Sequence, residues 1–116
     1  MKKVLIVEDD LIIALSTEKM VQRLGFDVVK MVTTGEDAVQ SVIDDQPDVI
    51  LMDIRLAGEM DGIDAIMEIR KHVDDVKVIF ITGNADPIYK EKAEKSGFEA
   101  YLIKPVRFDD LKKIIA

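Results

Sequence analysis

Short apolar runs alternate along this chain with longer stretches in which apolar residues recur every three or four positions. Such an alternation is typical of an α/β protein, in which helices connect the parallel strands of one sheet. Each run contains only four or five residues, which suits a buried strand better than a helix. The pattern predicts five strands, at residues 4–7, 28–32, 49–52, 78–81 and 100–103.

The segments between and after these runs predict five helices. Asp10 and Asp61 are placed to cap the first and third helices, and Gly25 is a typical stop for the first. Asp86-Pro87 opens the fourth, with proline at the first helical position. The apolar positions that define the other four helices are Met20, Val21, Leu24, Val39, Val42, Ile43, Ile63, Ile66, Met67, Leu111, Ile114 and Ile115.

The fourth helix has the weakest apolar stripe of the five, limited to Tyr89 and Ala93. The residues around that stripe are charged, namely Lys90, Glu91, Lys92, Glu94 and Lys95. A helix with so few apolar contacts is weakly anchored, so we expect it to move more readily than the others.

The polarity of the runs predicts the order of the strands. The first, third and fourth runs are uninterrupted apolar sequence, as expected of strands buried on both faces. The second contains Lys30 and the fifth is flanked and interrupted by Glu99 and Tyr101, which indicates edge strands. The order 2-1-3-4-5 satisfies these constraints, and right-handed crossovers then place helices on both faces of the sheet.

Charge and composition exclude several classes of protein. A net charge of −7 argues against direct binding to nucleic acid, which needs a basic face. The absence of cysteine excludes disulfides and thiolate sites. No apolar run approaches the roughly 18 residues of a membrane span, and the start of the chain does not resemble a signal peptide. We therefore expect one cytoplasmic domain over residues 1–116, without membrane association.

Chemically active side chains follow four of the predicted strands. Glu8 and Asp9 follow the first strand and Asp53 the third, which places three carboxylates at the point where the strand order reverses and ligands bind. Clustered carboxylates repel one another unless a cation neutralises them, and Mg²⁺ prefers such oxygen ligands. Thr82 and Lys104, after the fourth and fifth strands, add a hydroxyl and an ammonium group suited to a phosphoryl group beside the metal.

Five short motifs together carry a resemblance to the response-regulator receiver domain of two-component signal transduction, and they span essentially the whole chain. In order they are Val7-Glu8-Asp9-Asp10, Met52-Asp53-Ile54, Asp61-Gly62, Ile81-Thr82-Gly83 and Lys104-Pro105. The resemblance implies a flavodoxin-like, doubly wound α/β fold like that of the chemotaxis regulators. It also implies a phosphoprotein that acts as a signalling switch in a phosphorelay.

The resemblance assigns a role to each residue of the predicted site. Asp53 is the implied phosphoacceptor, which receives a phosphoryl group from the phosphohistidine of a sensor histidine kinase or of a phosphotransfer protein. The implied metal is Mg²⁺, for which Mn²⁺ can substitute. Its implied ligands are Asp9 and Asp53 directly, Glu8 through water, and the main-chain carbonyl of Arg55. Lys104 is expected to contact the phosphoryl oxygens.

The resemblance also implies a route from the site to the surface. Thr82 is expected to hydrogen-bond the phosphoryl group and Tyr101 to move inward as an aromatic switch, changing the face formed by the fourth helix, fifth strand and fifth helix. The Lys104–Pro105 peptide bond is expected to be cis. The domain would assist its own phosphorylation and dephosphorylation without being an enzyme in the usual sense. A homodimer through the same face is compatible with the family, but no residue pattern singles it out.

Two departures from the family pattern concern the loop that follows Asp53. The stretch from Ile54 to Gly62 is about one residue longer than is common, and Ala57 replaces the usual proline, so we expect a different loop shape with the ligands retained. Arg55 and Asn84 occupy variable positions that influence the lifetime of the aspartyl phosphate in the family. Arg55 could pair with Glu59 or with an acid across the cleft.

Three other functions remain as alternatives. A flavodoxin-like cofactor protein needs a loop after the first strand that accepts a phosphate, whereas Glu8-Asp9-Asp10 would repel FMN. A metal-dependent phosphatase with an aspartyl nucleophile requires a second acid just after that nucleophile, where this chain has Arg55. A receiver-like interaction module that is never phosphorylated would not need the acceptor, metal and lysine positions, all of which are retained here.

Overall fold

A computed structural model describes residues 2–83 and 87–115 of the chain. Its strands form one parallel sheet in the order β2-β1-β3-β4-β5, which confirms the predicted order. The strands are β1 (Lys3–Val7), β2 (Asp27–Val32), β3 (Val49–Asp53), β4 (Lys77–Thr82) and β5 (Ala100–Ile103). The expectations for Asn84 and for the start of the fourth helix at Asp86 lie outside the described residues.

The predicted signals at Asp10, Gly25 and Asp61 mark the ends of the first helix and the start of the third. The helices are α1 (Leu11–Arg23), α2 (Gly35–Asp45), α3 (Gly62–Ile69), α4 (Pro87–Glu94) and α5 (Phe108–Ile115). The Asp10 side chain accepts hydrogen bonds from the first turn of α1, and Asp61 forms a capping box with Asp64 at the start of α3. Gly25 follows α1 with a φ of 88°, a left-handed conformation that glycine adopts without a steric penalty.

Two hydrophobic cores lie on opposite faces of the sheet because successive strand residues point to opposite sides. Leu5 and Val7 pack with α2, α3 and α4 on one face, whereas Val4 and Ile6 pack with α1 and α5 on the other. The central strands β1, β3 and β4 are buried along nearly their whole length, while β2 and β5 are partly exposed. The edge strands are therefore those predicted from their polar residues.

The loop from β3 to α3 is held close to the sheet. The Gly62 amide donates to the Ile54 carbonyl at 2.7 Å, and Ala57 forms a parallel bridge with Thr34. A Cβ on Gly62 would lie 2.1 Å from the Asp53 carbonyl oxygen, closer than any real contact. Glycine at this position thus allows α3 to begin directly against the end of β3. Among the described residues, no helix is both long and apolar enough to cross a membrane.

Candidate functional site

The candidate site lies at the carboxyl edge of the sheet, where strand register brings distant parts of the sequence together. Val7 of β1 pairs with Met52 of β3, so Glu8 and Asp53, one residue further along each strand, lie side by side. Thr82 pairs with Ile103, and Lys104 follows it at the same edge. The reversal of strand order falls between β1 and β3, which is the usual ligand position in such sheets.

Three carboxylates converge at this edge. Glu8, Asp9 and Asp53 each contribute an oxygen, and these oxygens lie within 4.8 Å of one another. Glu8 and Asp53 are buried, whereas Asp9 is exposed. Backbone amides hold two of the carboxylates in place: Asp10 donates to Glu8 Oε2 at 3.1 Å and Arg55 to Asp53 Oδ1 at 3.3 Å. An all-oxygen donor set with one open side fits a hard divalent cation such as Mg²⁺.

Lys104 supplies a positive charge to two of these carboxylates. Its Nζ lies 2.9 Å from Asp53 Oδ2 and 2.5 Å from Glu8 Oε1, and its side chain is only 17% exposed. Burial by itself lowers the pKa of Lys104, but hydrogen bonds to Glu8 and Asp53 and the charges of both carboxylates raise the pKa above its usual value. Lys104 is therefore cationic at neutral pH. Its peptide bond to Pro105 is cis.

Asp9 is left with excess negative charge around it. Partial burial of its carboxyl group, a hydrogen bond to Glu8 and the charge of Glu8 together raise the pKa of Asp9, and Lys104 offsets only part of this effect. A raised carboxyl pKa indicates that the charged form is disfavoured where it stands. A bound cation would relieve that repulsion, so the electrostatics of Asp9 agree with the donor geometry.

The carboxylates and Lys104 open into a cleft of about 450 Å³. Its lining residues are Glu8, Asp9, Asp10, Ile13, Asp53, Arg55, Thr82, Gly83 and Lys104. The cleft therefore contains the predicted acceptor, metal and phosphoryl-contacting residues together. Asp10 and Ile13 are additional lining residues, positioned because α1 begins at this edge.

Tyr101 lies outside the cleft, one strand away. It pairs with Phe80 across β4 and β5, and its ring centroid lies 6.3 Å from that of Phe80 and 5.9 Å from that of Phe98. The ring is partly buried against the core on the α3 and α4 side of the sheet. Its predicted part in switching thus concerns the face next to α4 rather than the cleft itself.

Arg55 forms no ion pair with Glu59, or with an acid across the cleft, within the part of the chain that the structure describes. The Arg55 guanidinium instead lies over the Tyr89 ring of α4, 5.7 Å from its centroid. The contact is favourable because the ring face carries negative potential that attracts a cation. The sequence pattern does not predict this contact, because no periodicity relates a loop residue to a helix residue more than thirty positions away. The only feature of the sequence that draws attention to Tyr89 is its place in the sparse apolar stripe of α4.

Comparison with known proteins agrees with this geometry. Residues 4–116 match the response regulator receiver domain family. The chemotaxis protein CheY of Thermotoga maritima is 33% identical over 104 residues, which cover 90% of this chain and 86% of that protein. The transcriptional regulatory protein PdtaR of Mycobacterium tuberculosis is 32% identical over 95% of this chain, but the match spans 53% of PdtaR.

Solved structures show the same fold. A CheY-like receiver domain protein from Methanospirillum hungatei superposes with a TM-score of 0.92 at 29% identity, over 99% of this chain and 90% of that one. The receiver domain of the sensor histidine kinase PA1611 from Pseudomonas aeruginosa, solved with a magnesium ion in its active site cleft, has a TM-score of 0.87 at 34% identity. That match covers 98% of this chain and 93% of the PA1611 domain. This chain therefore belongs to the response regulator receiver domain family of two-component signalling.

Proposed function

We propose that Asp53 accepts a phosphoryl group, in a Mg²⁺-dependent reaction, from the phosphohistidine of a sensor histidine kinase or of a phosphotransfer protein. The observation that carries this proposal is the convergence of three carboxylates and Lys104 on one cleft at the carboxyl edge. A structural ion pair would need one acid for one lysine, whereas this cleft has an excess of acids. The excess of acids suits a metal ion, and that ion together with Lys104 would balance the charge of a transferred anion.

The reaction is a displacement at phosphorus. An Asp53 carboxylate oxygen forms a bond to phosphorus as the phosphorus–nitrogen bond of phosphohistidine breaks, and the electron pair of that bond stays with the imidazole nitrogen. Such a transition state asks mainly for positioning and for neutralisation of charge. We propose that the Lys104 ammonium, which lies 2.9 Å from Asp53 Oδ2, contacts the transferred oxygens, and that the Thr82 hydroxyl donates a hydrogen bond to them.

The metal ligands that we propose are those implied by the family resemblance, and the convergence of three carboxylates supports them. Asp9 and Asp53 are proposed to bind Mg²⁺ directly, Glu8 through water, and Arg55 through its main-chain carbonyl. When bound, Mg²⁺ neutralises the carboxylates and stabilises the negative charge of the transferred group. Mn²⁺ accepts the same oxygen ligands, so we expect it to substitute.

Phosphorylation is proposed to shift α4, β5 and α5 between two arrangements. Moving such an equilibrium from 1:99 to 99:1 takes about 5.5 kcal/mol of differential interaction. New contacts of the phosphoryl group with Thr82 and Lys104 would contribute to this difference, and Tyr101 would follow Thr82. Autodephosphorylation would reset the switch. The cytoplasmic location, the single-domain organisation, the absence of nucleic-acid binding and the homodimer stay predictions from the sequence.

The test is the intact mass of the purified chain after incubation with acetyl phosphate or phosphoramidate, with and without Mg²⁺. We expect a gain of one phosphoryl group that requires Mg²⁺ and is lost in Asp53→Asn. Glu59→Gln removes an exposed acid from the same loop and should leave the gain unchanged. A folded wild-type chain that gains no mass with Mg²⁺ present would instead favour the interaction module.

A further inference from the structure

Helix α4 is held firmly at its C-terminal end. The guanidinium group of Arg70, at the end of α3, donates to the carbonyls of Ser96 and Gly97 at 3.2 and 2.6 Å. It also donates to the carbonyls of Asp74 and Val76, which precede β4, at 3.0 and 2.7 Å. One side chain thus ties the end of α4 to the body of the molecule, close to the fully buried Ala93.

The first turns of α4 are held differently. Ile88 is 73% exposed, Tyr89 is partly buried against the hydrophobic core, and two cationic side chains add contacts to this packing. Tyr89 lies beneath the Arg55 guanidinium. Lys92, one turn later, lies 3.2 Å from carboxylate oxygens of both Asp61 and Asp64. Tyr89 in the first turn of α4 and Lys92 in its last turn therefore both contact residues at the ends of the loop between β3 and α3.

Arg55 takes part in both regions at once. Its amide donates to the Asp53 carboxylate and its backbone lines the cleft, while its guanidinium lies within the roughly 6 Å of a ring centroid at which a cation–π contact is significant. The same residue thus links the backbone next to Asp53 to the ring of Tyr89.

We propose that Arg55 and Tyr89 are positioning residues. Their contact couples the backbone at Asp53 and Arg55 to the first turn of α4, and the four carbonyl contacts of Arg70 act as the pivot. The coupling is reciprocal because a shift at either end alters the free energy of the other. Its consequence for phosphorylation depends on the proposed function, whereas the coupling itself does not.

The chain offers a matched set of variants. Arg55→Met removes the charge but keeps much of the side-chain length, and Tyr89→Leu removes the aromatic face but keeps an apolar residue. Tyr89→Phe keeps the ring and serves as the conservative control. Lys90→Met removes a neighbouring exposed charge from the same helix.

The first measurement is amide hydrogen exchange across residues 87–94. Arg55→Met and Tyr89→Leu should each speed exchange by about two- to fivefold, the factor expected for an exposed cation–π contact. The double variant should be no faster than either single variant, because both remove the same contact. Tyr89→Phe and Lys90→Met should match the wild type. Additive effects, or unchanged exchange in Arg55→Met, would overturn the proposal.

The second measurement follows the reverse direction, through the backbone amide resonance of Arg55. This signal should shift in Tyr89→Leu and stay unchanged in Tyr89→Phe and Lys90→Met; an unmoved signal in Tyr89→Leu would refute the coupling. Neither measurement requires phosphorylation, so a wild type that fails to accept phosphate would refute the proposed function alone. Where phosphorylation occurs, both single variants should change its rate by the same factor. A change in Arg55→Met alone would mean that the guanidinium acts directly in the cleft, against the proposal.

Discussion

The two edges of the sheet use the same residue types in different ways. At the amino edge, several charged groups contact separate local partners. The Lys3 ammonium donates to the Asp45 carbonyl at 2.8 Å and the Lys3 amide to the Asp48 carboxylate at 2.8 Å. Lys77 donates to the Ile114 carbonyl at 2.8 Å, and Lys30 lies 3.4 Å from Asp45. These contacts tie helix ends to strand starts.

At the carboxyl edge the charges are shared and unbalanced. Glu8, Asp9 and Asp53 cluster within 4.8 Å of one another, and Lys104 is the only cation of the described chain within ion-pair distance of any of them. An acid–base pair at a strand end is therefore not by itself a sign of function. A better indicator of function is an excess of one charge in a partly buried cleft, because that charge calls for a counter-ion or ligand from outside the chain.

Removal of the central cation should have the largest effect. Lys104→Met leaves Glu8 and Asp53 buried without a cationic partner, and loss of one member of such a group typically costs about 3 kcal/mol. We expect that loss in the free energy of unfolding at neutral pH without metal. Lys30→Met, at the half-exposed pair of the amino edge, should cost about 0.5 kcal/mol. Urea unfolding of both variants measures the contrast, and equal losses would remove the distinction between the edges.

Replacement of a glycine by alanine should also have unequal effects on stability at the two edges. In Gly62→Ala the new Cβ would meet the Asp53 carbonyl at 2.1 Å and the Met52 side chain at 2.8 Å, so the Asp53 backbone must move. We expect a loss of about 2–3 kcal/mol together with weaker Mg²⁺ binding. Gly25→Ala meets no atom within 4 Å and carries only the strain of its left-handed φ, about 1 kcal/mol. Thermal unfolding with and without Mg²⁺ separates the two variants, and unchanged metal binding in Gly62→Ala would contradict the expectation.

The sequence was sufficient to predict the carboxyl edge because its geometry follows from topology. Strands buried on both faces appear as apolar runs, and parallel strands of similar length end at one edge. The residues after Val7, Met52 and Ile103 must therefore meet once the order 2-1-3-4-5 is known. No side-chain detail was needed.

The contacts around α4 could not be predicted in this way. The four carbonyl contacts of Arg70 and the position of Arg55 over Tyr89 depend on where long, flexible side chains come to lie. No spacing in the sequence encodes such contacts, because their partners are backbone atoms or rings on other elements. For Arg55 the sequence suggested only acids as partners, either Glu59 or an acid across the cleft, because the proximity of the Tyr89 ring arises from the fold.

Asp9 provides a finer test of the excess charge. Its pKa is raised in the folded chain, so ionisation of Asp9 opposes folding. This opposition is fully present above the folded-state pKa and disappears as the pH falls towards the unfolded value of 3.8. At neutral pH without metal, Asp9→Asn should therefore slightly increase the free energy of unfolding.

The same variant should lose the stabilisation by metal. A ligand at one hundred times its dissociation constant adds about 2.7 kcal/mol to the folded state, and Asp9→Asn should show much less at the Mg²⁺ concentration that gives this gain in the wild type. Glu59→Gln is the control for loss of an acid alone. Chemical denaturation of the three proteins, with and without Mg²⁺, decides the matter. An Asp9→Asn protein that Mg²⁺ stabilises as strongly as the wild type would remove Asp9 from the metal site.

The smallest effect is expected at Lys92, whose charge is shared between two acids as at the carboxyl edge, but at the surface. Burial alone lowers its pKa, yet hydrogen bonds to Asp61 and Asp64 raise the pKa above 10.5. The stabilisation by Lys92 is therefore fully present below pH 10.5 and is lost as the pH rises through the higher folded-state value. Because these groups are largely solvated, Lys92→Met should cost less than about 1 kcal/mol at neutral pH.

Unfolding curves for wild type and Lys92→Met should converge as the pH is raised. Curves that stay apart at high pH would mean that Lys92 stabilises α4 through the packing of its aliphatic stem. An excess of charge would then affect stability only in a cleft that keeps water away.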